Sequence, residues 1–200
     1  MRTWFFLDEL LDWYGDFNAV RTQFYSGISF RTGSLPASTG IGARNPAGHA
    51  LMAGAWAMHS LLPEAKVEEI ASPLQCPAPK YGSSFSRAME LTSPAGRRLV
   101  ISGTASIAPG GATLWPEDAR RQVAQTMEVI EAILQSRGFQ FSDTSRAIAY
   151  CKHPTDALCF TDWCAARGLS LPVVLAHCDV CRDDLLFELE LDAVADQTAL

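Results

Sequence analysis

Apolar and polar positions recur along this 200-residue chain with two different periods. Val123, Met127, Ile130 and Leu134 follow one another at spacings of four, three and four, which stacks them on one helix face. The Pro116-Glu117-Asp118 step predicts the start of that helix, because proline is tolerated in a first turn and acids there meet the positive end of the dipole. Gly138 is placed to end it. Near the N-terminus Leu10, Trp13/Tyr14, Phe17, Val20/Arg21 and Phe24 predict an amphipathic helix; Trp4 to Leu7 could instead be the end of a strand leading into it. From Leu185 to Asp192 the period is two. Leu185, Phe187, Leu189 and Leu191 fall on one face, and Glu188, Glu190 and Asp192 on the other.

The remaining segments are coarser. Residues 27–50 are rich in Gly, Ser, Pro and Thr and predict loop with at most one short strand, whereas 50–59 alternate large and small and predict a strand. Residues 61–80 carry Pro63, Pro73, Pro77 and Pro79 and read as a connecting segment. Beyond it the pattern predicts a strand at Arg98–Ser102, a turn at Gly110-Gly111, a strand at Arg146–Cys151 and a helix at Thr155–Arg167 ended by Gly168. Strands at 172–180 and 185–194 follow. That order suggests an α/β (α+β) unit, a mixed sheet with two helices packed on one face.

Two parts of the chain share a layout. Arg2-Thr3-Trp4-Phe5-Phe6 resembles Arg146-Ala147-Ile148-Ala149-Tyr150; a helix follows each, then Leu35-Pro36 or Leu171-Pro172, then a strand, a turn and a longer alternating strand. The expected organisation is therefore a partial copy at 1–60, the connector at 61–80, a complete copy at 81–195 and a tail at 196–200.

Composition narrows the function classes. Apolar residues are 48% and charged residues 19% of the chain, a globular balance rather than a disordered one. The formal net charge is −6 and no dense Lys/Arg stretch exists to track a phosphate backbone, so nucleic acid is not an expected partner. No apolar run approaches membrane-spanning length, and the N-terminus turns acidic at Asp8-Glu9, too early for a secretory signal. The six cysteines are then expected as reduced thiols in the cytoplasm. His177-Cys178-x-x-Cys181 lacks a second ligand pair, so no metal is expected, and no phosphate loop, dinucleotide fingerprint or nucleophile elbow points to a cofactor.

Leu99-Val100-Ile101-Ser102-Gly103, the Gln122–Leu134 helix, Arg146–Tyr150 and Leu186-Phe187-Glu188-Leu189-Glu190 resemble the RidA family (YjgF/UK114), small α/β proteins that usually trimerise. Longer stretches resemble the chorismatases within that superfamily: Pro36–Gly42, Gln75–Ala78, Tyr81–Ala88, Ser102–Ile107, Thr126–Glu128 and Asp179–Glu188. The resemblance implies a RidA/YjgF-like (chorismate-mutase-like) fold preceded by a partial second copy. It also implies a cofactor-independent hydrolase or lyase that releases pyruvate and a hydroxybenzoate from chorismate in secondary metabolism. Family members usually carry an additional part before the Arg-x-Trp motif that here begins at Arg2, so a homo-oligomer, with a trimer favoured, or another chain is expected to cover the incomplete half.

Enol-ether hydrolysis needs a general acid that is still protonated near neutral pH, and a carboxyl group serves when a dry site raises its pKa. On pattern alone Glu188, Glu190 and Asp192 read as the solvated acidic face of a half-buried sheet. The resemblance assigns the acid to Glu188. A dianionic substrate needs fixed cations, and Arg87 is the leading candidate, with Tyr81 as a hydrogen-bond donor; Arg2, Arg21 and Arg182 are weaker ones. Cys181, seven residues before Glu188, and Ala105 occupy what resemble product-determining positions of the family, Cys181 leaning to 3-hydroxybenzoate and Ala105 the other way. A RidA-type imine deaminase would need an arginine fifteen residues before Glu188, where this chain has Val173. A repurposed, non-catalytic member that binds an aromatic or carboxylic metabolite remains the alternative.

Overall fold

A computed structural model of the chain describes residues 2–196, so Met1 and most of the expected tail lie outside the described residues. Two sheets face each other. The smaller is built from β1 (Arg2–Leu7), β2 (Ala37–Gly42) and β3 (Leu51–Trp56) in the order β2-β1-β3, with α1 (Leu10–Ser26) between β1 and β2. The larger contains β4 (Lys66–Ile70), β5 (Ala88–Ser93), β6 (Gly96–Ala105), β7 (Thr144–Cys151), β8 (Val173–His177) and β9 (Phe187–Ala195), ordered β4-β5-β6-β9-β7-β8. Helices α2 (Ala119–Ser136) and α3 (Ala157–Ala165) cover one of its faces.

The core lies between those helices and the larger sheet. The stripe Val123, Met127, Ile130 and Leu134 is fully buried there, facing Leu99, Ile101, Phe187, Leu189 and Leu191. Asp118 caps α2 by accepting from the Arg121 N–H at 2.9 Å, so Pro116 and Glu117 precede the helix instead of forming its first turn. At the other end Gly138, at φ 73°, lets Phe139 N–H reach the Leu134 carbonyl at 2.9 Å. The second helix starts as a 3-10 turn at Pro154–Asp156 and becomes α3 only at Ala157.

The repeated layout is present in the topology. β1 pairs parallel with β2 and antiparallel with β3, and β7 pairs in the same way with β8 and β9. The expected connector is different. Lys66–Ile70 forms β4 and pairs antiparallel with β5, so the larger sheet begins fifteen residues before position 81. The flanking prolines Pro63 and Pro73 bracket this short strand and masked it. No helix among the described residues is long and apolar enough to cross a membrane.

Candidate active site

The open face of the larger sheet, opposite its helices, packs on the smaller sheet, and it carries the acids of β9. Period two puts Glu188, Glu190 and Asp192 on this face, but they are not solvated: none is more than 4% exposed. A buried carboxylate needs cations, and two of the three have them. Arg2 on β1 donates to Glu190 at 2.6 Å and to Asp192 at 2.8 Å. Arg146 on β7, the residue equivalent to Arg2 in the repeat, also pairs with Glu190, and Arg98 pairs with Asp192 at 2.7 Å. The Trp4 indole N–H adds a bond to Glu190 at 3.1 Å. Arg2 is thus spent on holding the two sheets together and does not line the cavity described below.

Glu188 has no ion-pair partner among the described residues. Its carboxyl lies on the wall of a cavity of about 390 Å³. Burial pushes it up from an ordinary 4.5 to about 8; the Glu190 charge adds to the rise and Arg87 opposes it. For Glu190 burial acts in the same sense, but Arg2, Thr39 and Arg146 outweigh it and hold that carboxyl below its ordinary value. Two acids two residues apart on one strand are therefore driven in opposite directions.

The cavity wall comes from six parts of the chain, one of them β2 with Ser38 and Gly40. β9 gives Glu188. β6 gives Gly103 and Ala105, with Ile107 just beyond. The segment before β5 gives Tyr81, Ser83, Phe85 and Arg87. Helix α1 gives Tyr14, Asn18 and Arg21, one face at helical spacing, and the β8–β9 connection gives Cys181 and Arg182. The five residues singled out by sequence, Glu188, Arg87, Tyr81, Cys181 and Ala105, all line this one space. Arg182, which a turn position would leave solvated, instead donates to the Gly111 carbonyl at 2.7 Å and lies 5.6 Å from the Tyr81 ring.

Three guanidiniums, Arg21, Arg87 and Arg182, line the cavity, and none has a carboxylate partner among the described residues. Arg87 is positioned by the Cys76 carbonyl, which accepts from its Nε at 3.1 Å and its Nη2 at 2.9 Å, and by the rings of Tyr81 and Phe85. Gln75 holds the adjoining wall by donating to the carbonyls of Ala105 and Ile107 at 2.9 and 3.0 Å. Arg21 donates to Asn18 Oδ1 at 2.6 Å and sits over the rings of Phe5 and Phe17. Desolvated cations without counterions favour an anionic occupant.

The other polar groups are neutral. Burial, chiefly, pushes the Tyr81 phenol up to about 12 and the Tyr14 phenol well above its ordinary range. Burial, then the nearby Glu188 charge, pushes the Cys181 thiol up to about 12, so Cys181 offers bulk and a weak donor rather than a thiolate. His177 bonds the Lys152 carbonyl, and no group of three or more His, Cys, Asp or Glu among the described residues is placed to hold a metal. Val173, on β8, packs against the helix-side core and not in this cavity.

Tyr14 and Asn18 were not legible as site residues. The signal was a helix whose buried face carries Asn18 and Arg21 among aromatic residues. The repeat also explains why only one copy holds an acid. Phe6 pairs with Met52 where Tyr150 pairs with Glu188, so the equivalent position in the smaller sheet is a methionine.

No family model matches the chain. It is 28% identical over 214 residues to a chorismatase of Streptomyces hygroscopicus, an alignment that covers 94% of this chain and 60% of that protein. A chorismatase crystal structure superposes on 96% of this chain and 63% of its own with a TM-score of 0.77 and 27% identity. A Rid-family protein of unknown function from Yersinia pestis matches 65% of this chain and 100% of its own with a TM-score of 0.51 and 19% identity, a likeness of fold alone. The chain spans about 60% of the length of the curated relatives it matches. In sequence and in fold it is similar to the chorismatases, and its mixed sheet has the architecture of the Rid-type structures.

Proposed function

We propose that this chain hydrolyses the enolpyruvyl ether of chorismate or a close analogue, releasing pyruvate and a ring product. The observation that carries this reading is one buried carboxyl, Glu188, without an ion-pair partner, in a cavity whose three guanidiniums have no carboxylate partner among the described residues. A ring bearing two carboxylates supplies the missing anions. Arg87 and Arg182 flank Tyr81, and Arg21 approaches from α1.

With the substrate held, Glu188 gives its proton to the terminal methylene carbon of the enol ether, which leaves a cation stabilised by the ether oxygen. Water adds to the adjacent carbon, the one bearing the ether oxygen, and returns a proton to Glu188. The resulting hemiketal collapses: the bond between its carbon and the ether oxygen breaks, the carbonyl of pyruvate forms, and the ring leaves as an alcohol that takes up the hydroxyl proton. Loss of water from the ring product would give a hydroxybenzoate. Cys181 and Ala105 share one small cluster with Val180 and Leu185 beside Glu188, a location from which side-chain volume can bias that last step. No step calls for a metal or cofactor.

A coupled lactate dehydrogenase assay for pyruvate from chorismate tests the reading. Turnover by the full chain that Glu188→Gln abolishes supports it; no pyruvate above background from folded protein contradicts it and leaves a protein that binds an anionic metabolite. We also infer self-association, with a trimer favoured by the Rid-type resemblance. The outer edge of β3 pairs with no strand among the described residues, and beside it an apolar groove of about 520 Å³ is lined by Val20, Phe24 and Leu51.

A further inference from the structure

Glu188 is one of three acids on the same face of β9, and the other two are tied into an ion-pair cluster that the proposed chemistry does not use. Glu190 is two residues away, about 7 Å along the strand, while Asp192 is about 13 Å away. Glu190 is fixed as an anion by Arg2, Arg146 and the Trp4 indole. The Arg2 guanidinium spends its Nη1 on Asp192 and its Nη2 on Glu190 and Thr39, and none of its bonds reaches Glu188. Thr39 Oγ1 in turn accepts from Gly103 N–H at 3.1 Å, which holds the bare β6 backbone against the Glu188 carboxyl.

We propose that Glu190 is a positioning residue for the acid: a permanently ionised carboxylate, held from the smaller sheet by Arg2, whose field keeps the proton on Glu188. The like charge sits on the same strand face, and the pair is buried where solvent does not screen it. The groups that face Glu188 from the surrounding elements do not replace this effect. Arg87, Arg21 and Arg182 are cations and act in the opposite sense. Tyr14 on α1, Tyr81 and Tyr150 on β7 are phenols kept neutral by burial, as are the Cys178 and Cys181 thiols. On this account β1 matters to the acid although it contributes no residue to the cavity wall.

The inference rests on the proposed role of Glu188, but it is read without turnover. Carbon-13 carboxyl titration of the full chain follows Glu188, assigned as the signal lost in Glu188→Gln. Glu190→Gln should lower its midpoint by about one pH unit. Asp192→Asn should leave it within a few tenths, and Glu190→Asp, which keeps the charge, should leave it close to the parent. An unchanged midpoint in Glu190→Gln, or an equal fall in Asp192→Asn, overturns the proposal. If Glu190→Gln does not fold, Arg146→Met decides. That side chain is about one-third exposed, and its loss unscreens Glu190, so the midpoint should rise; no rise overturns the proposal. Failure of chorismate turnover alone leaves these outcomes untouched.

Discussion

Gly103 on β6 lies directly against the carboxyl of Glu188 on β9: a Cβ at position 103 would collide with Oε1 and come within 2.9 Å of Cδ. The pairing of β6 with β9 slips between Ile101 and Thr104, which spans this position. A bulge re-aims local side chains, and here glycine leaves the space that the carboxyl occupies. Gly103→Ala should displace Glu188 while the core on the opposite face stays packed. The expected outcome is a fall of roughly 100-fold in pyruvate release, as for a misplaced reacting group, with the thermal transition still cooperative. An unimpaired rate would show that Glu188 does not need this contact.

The pH dependence follows from the same carboxyl. Glu188 must carry its proton to act, so the rate should hold through neutral pH and fall as pH rises through about 8. Glu190, held below its ordinary range, should add no acid limb near neutrality. Initial rates between pH 5 and 9 check this.

Stability should run in the same direction. Glu188 has its folded pKa raised, from 4.5 to about 8, so across that window the unfolded chain releases a proton that the folded chain retains. Stability is then highest below the window, declines as pH rises through it, and levels off above. Glu188→Gln should flatten this slope in urea unfolding followed at several pH values. A parent protein with no slope would contradict the burial of an unpaired acid.

Arg87→Lys separates charge from geometry. The lysine keeps a positive charge but cannot reproduce the two bonds to the Cys76 carbonyl or the planar contact with Tyr81 and Phe85. A cation that grips the substrate equally before and during reaction affects KM more than kcat. The expected change is a rise in KM of roughly 10- to 100-fold with kcat less affected. A selective loss of kcat would give Arg87 a different role.

Self-association is checked by sedimentation across a concentration series. Val20 and Phe24 are each about two-thirds exposed beside the outer edge of β3. A homo-oligomer that Phe24→Glu dissociates fits this surface. A clean monomer at high concentration contradicts it.

Local periodicity made the helix-side core legible. Val123, Met127, Ile130 and Leu134 could face only inward, and the alternation at 185–192 separated the leucines from the acids. It could not say what covers the acids, because Arg2 and Trp4 lie more than 180 residues away in sequence. A period gives a face and not its partner. The same limit left Arg182 a weaker candidate, because its contact with Tyr81 depends on two loops meeting. β4 was lost between prolines, since Lys66–Ile70 forms on the sheet edge and presents only Ile70 fully buried. For the cavity, the family resemblance supplied Cys181, Ala105 and Glu188 and favoured Arg87 and Tyr81; of α1 only Arg21 stood as a weaker candidate, and Tyr14 and Asn18 needed the packing of the two sheets.

The most direct test is the titration of the Glu188 carboxyl in the unmodified chain, followed by carbon-13 resonance and identified by its loss in Glu188→Gln. A midpoint close to 8 is what a desolvated acid beside a fixed carboxylate requires. A midpoint near 4.5 would mean that the side chain is ionised at neutral pH, and it could not then serve as the proton donor.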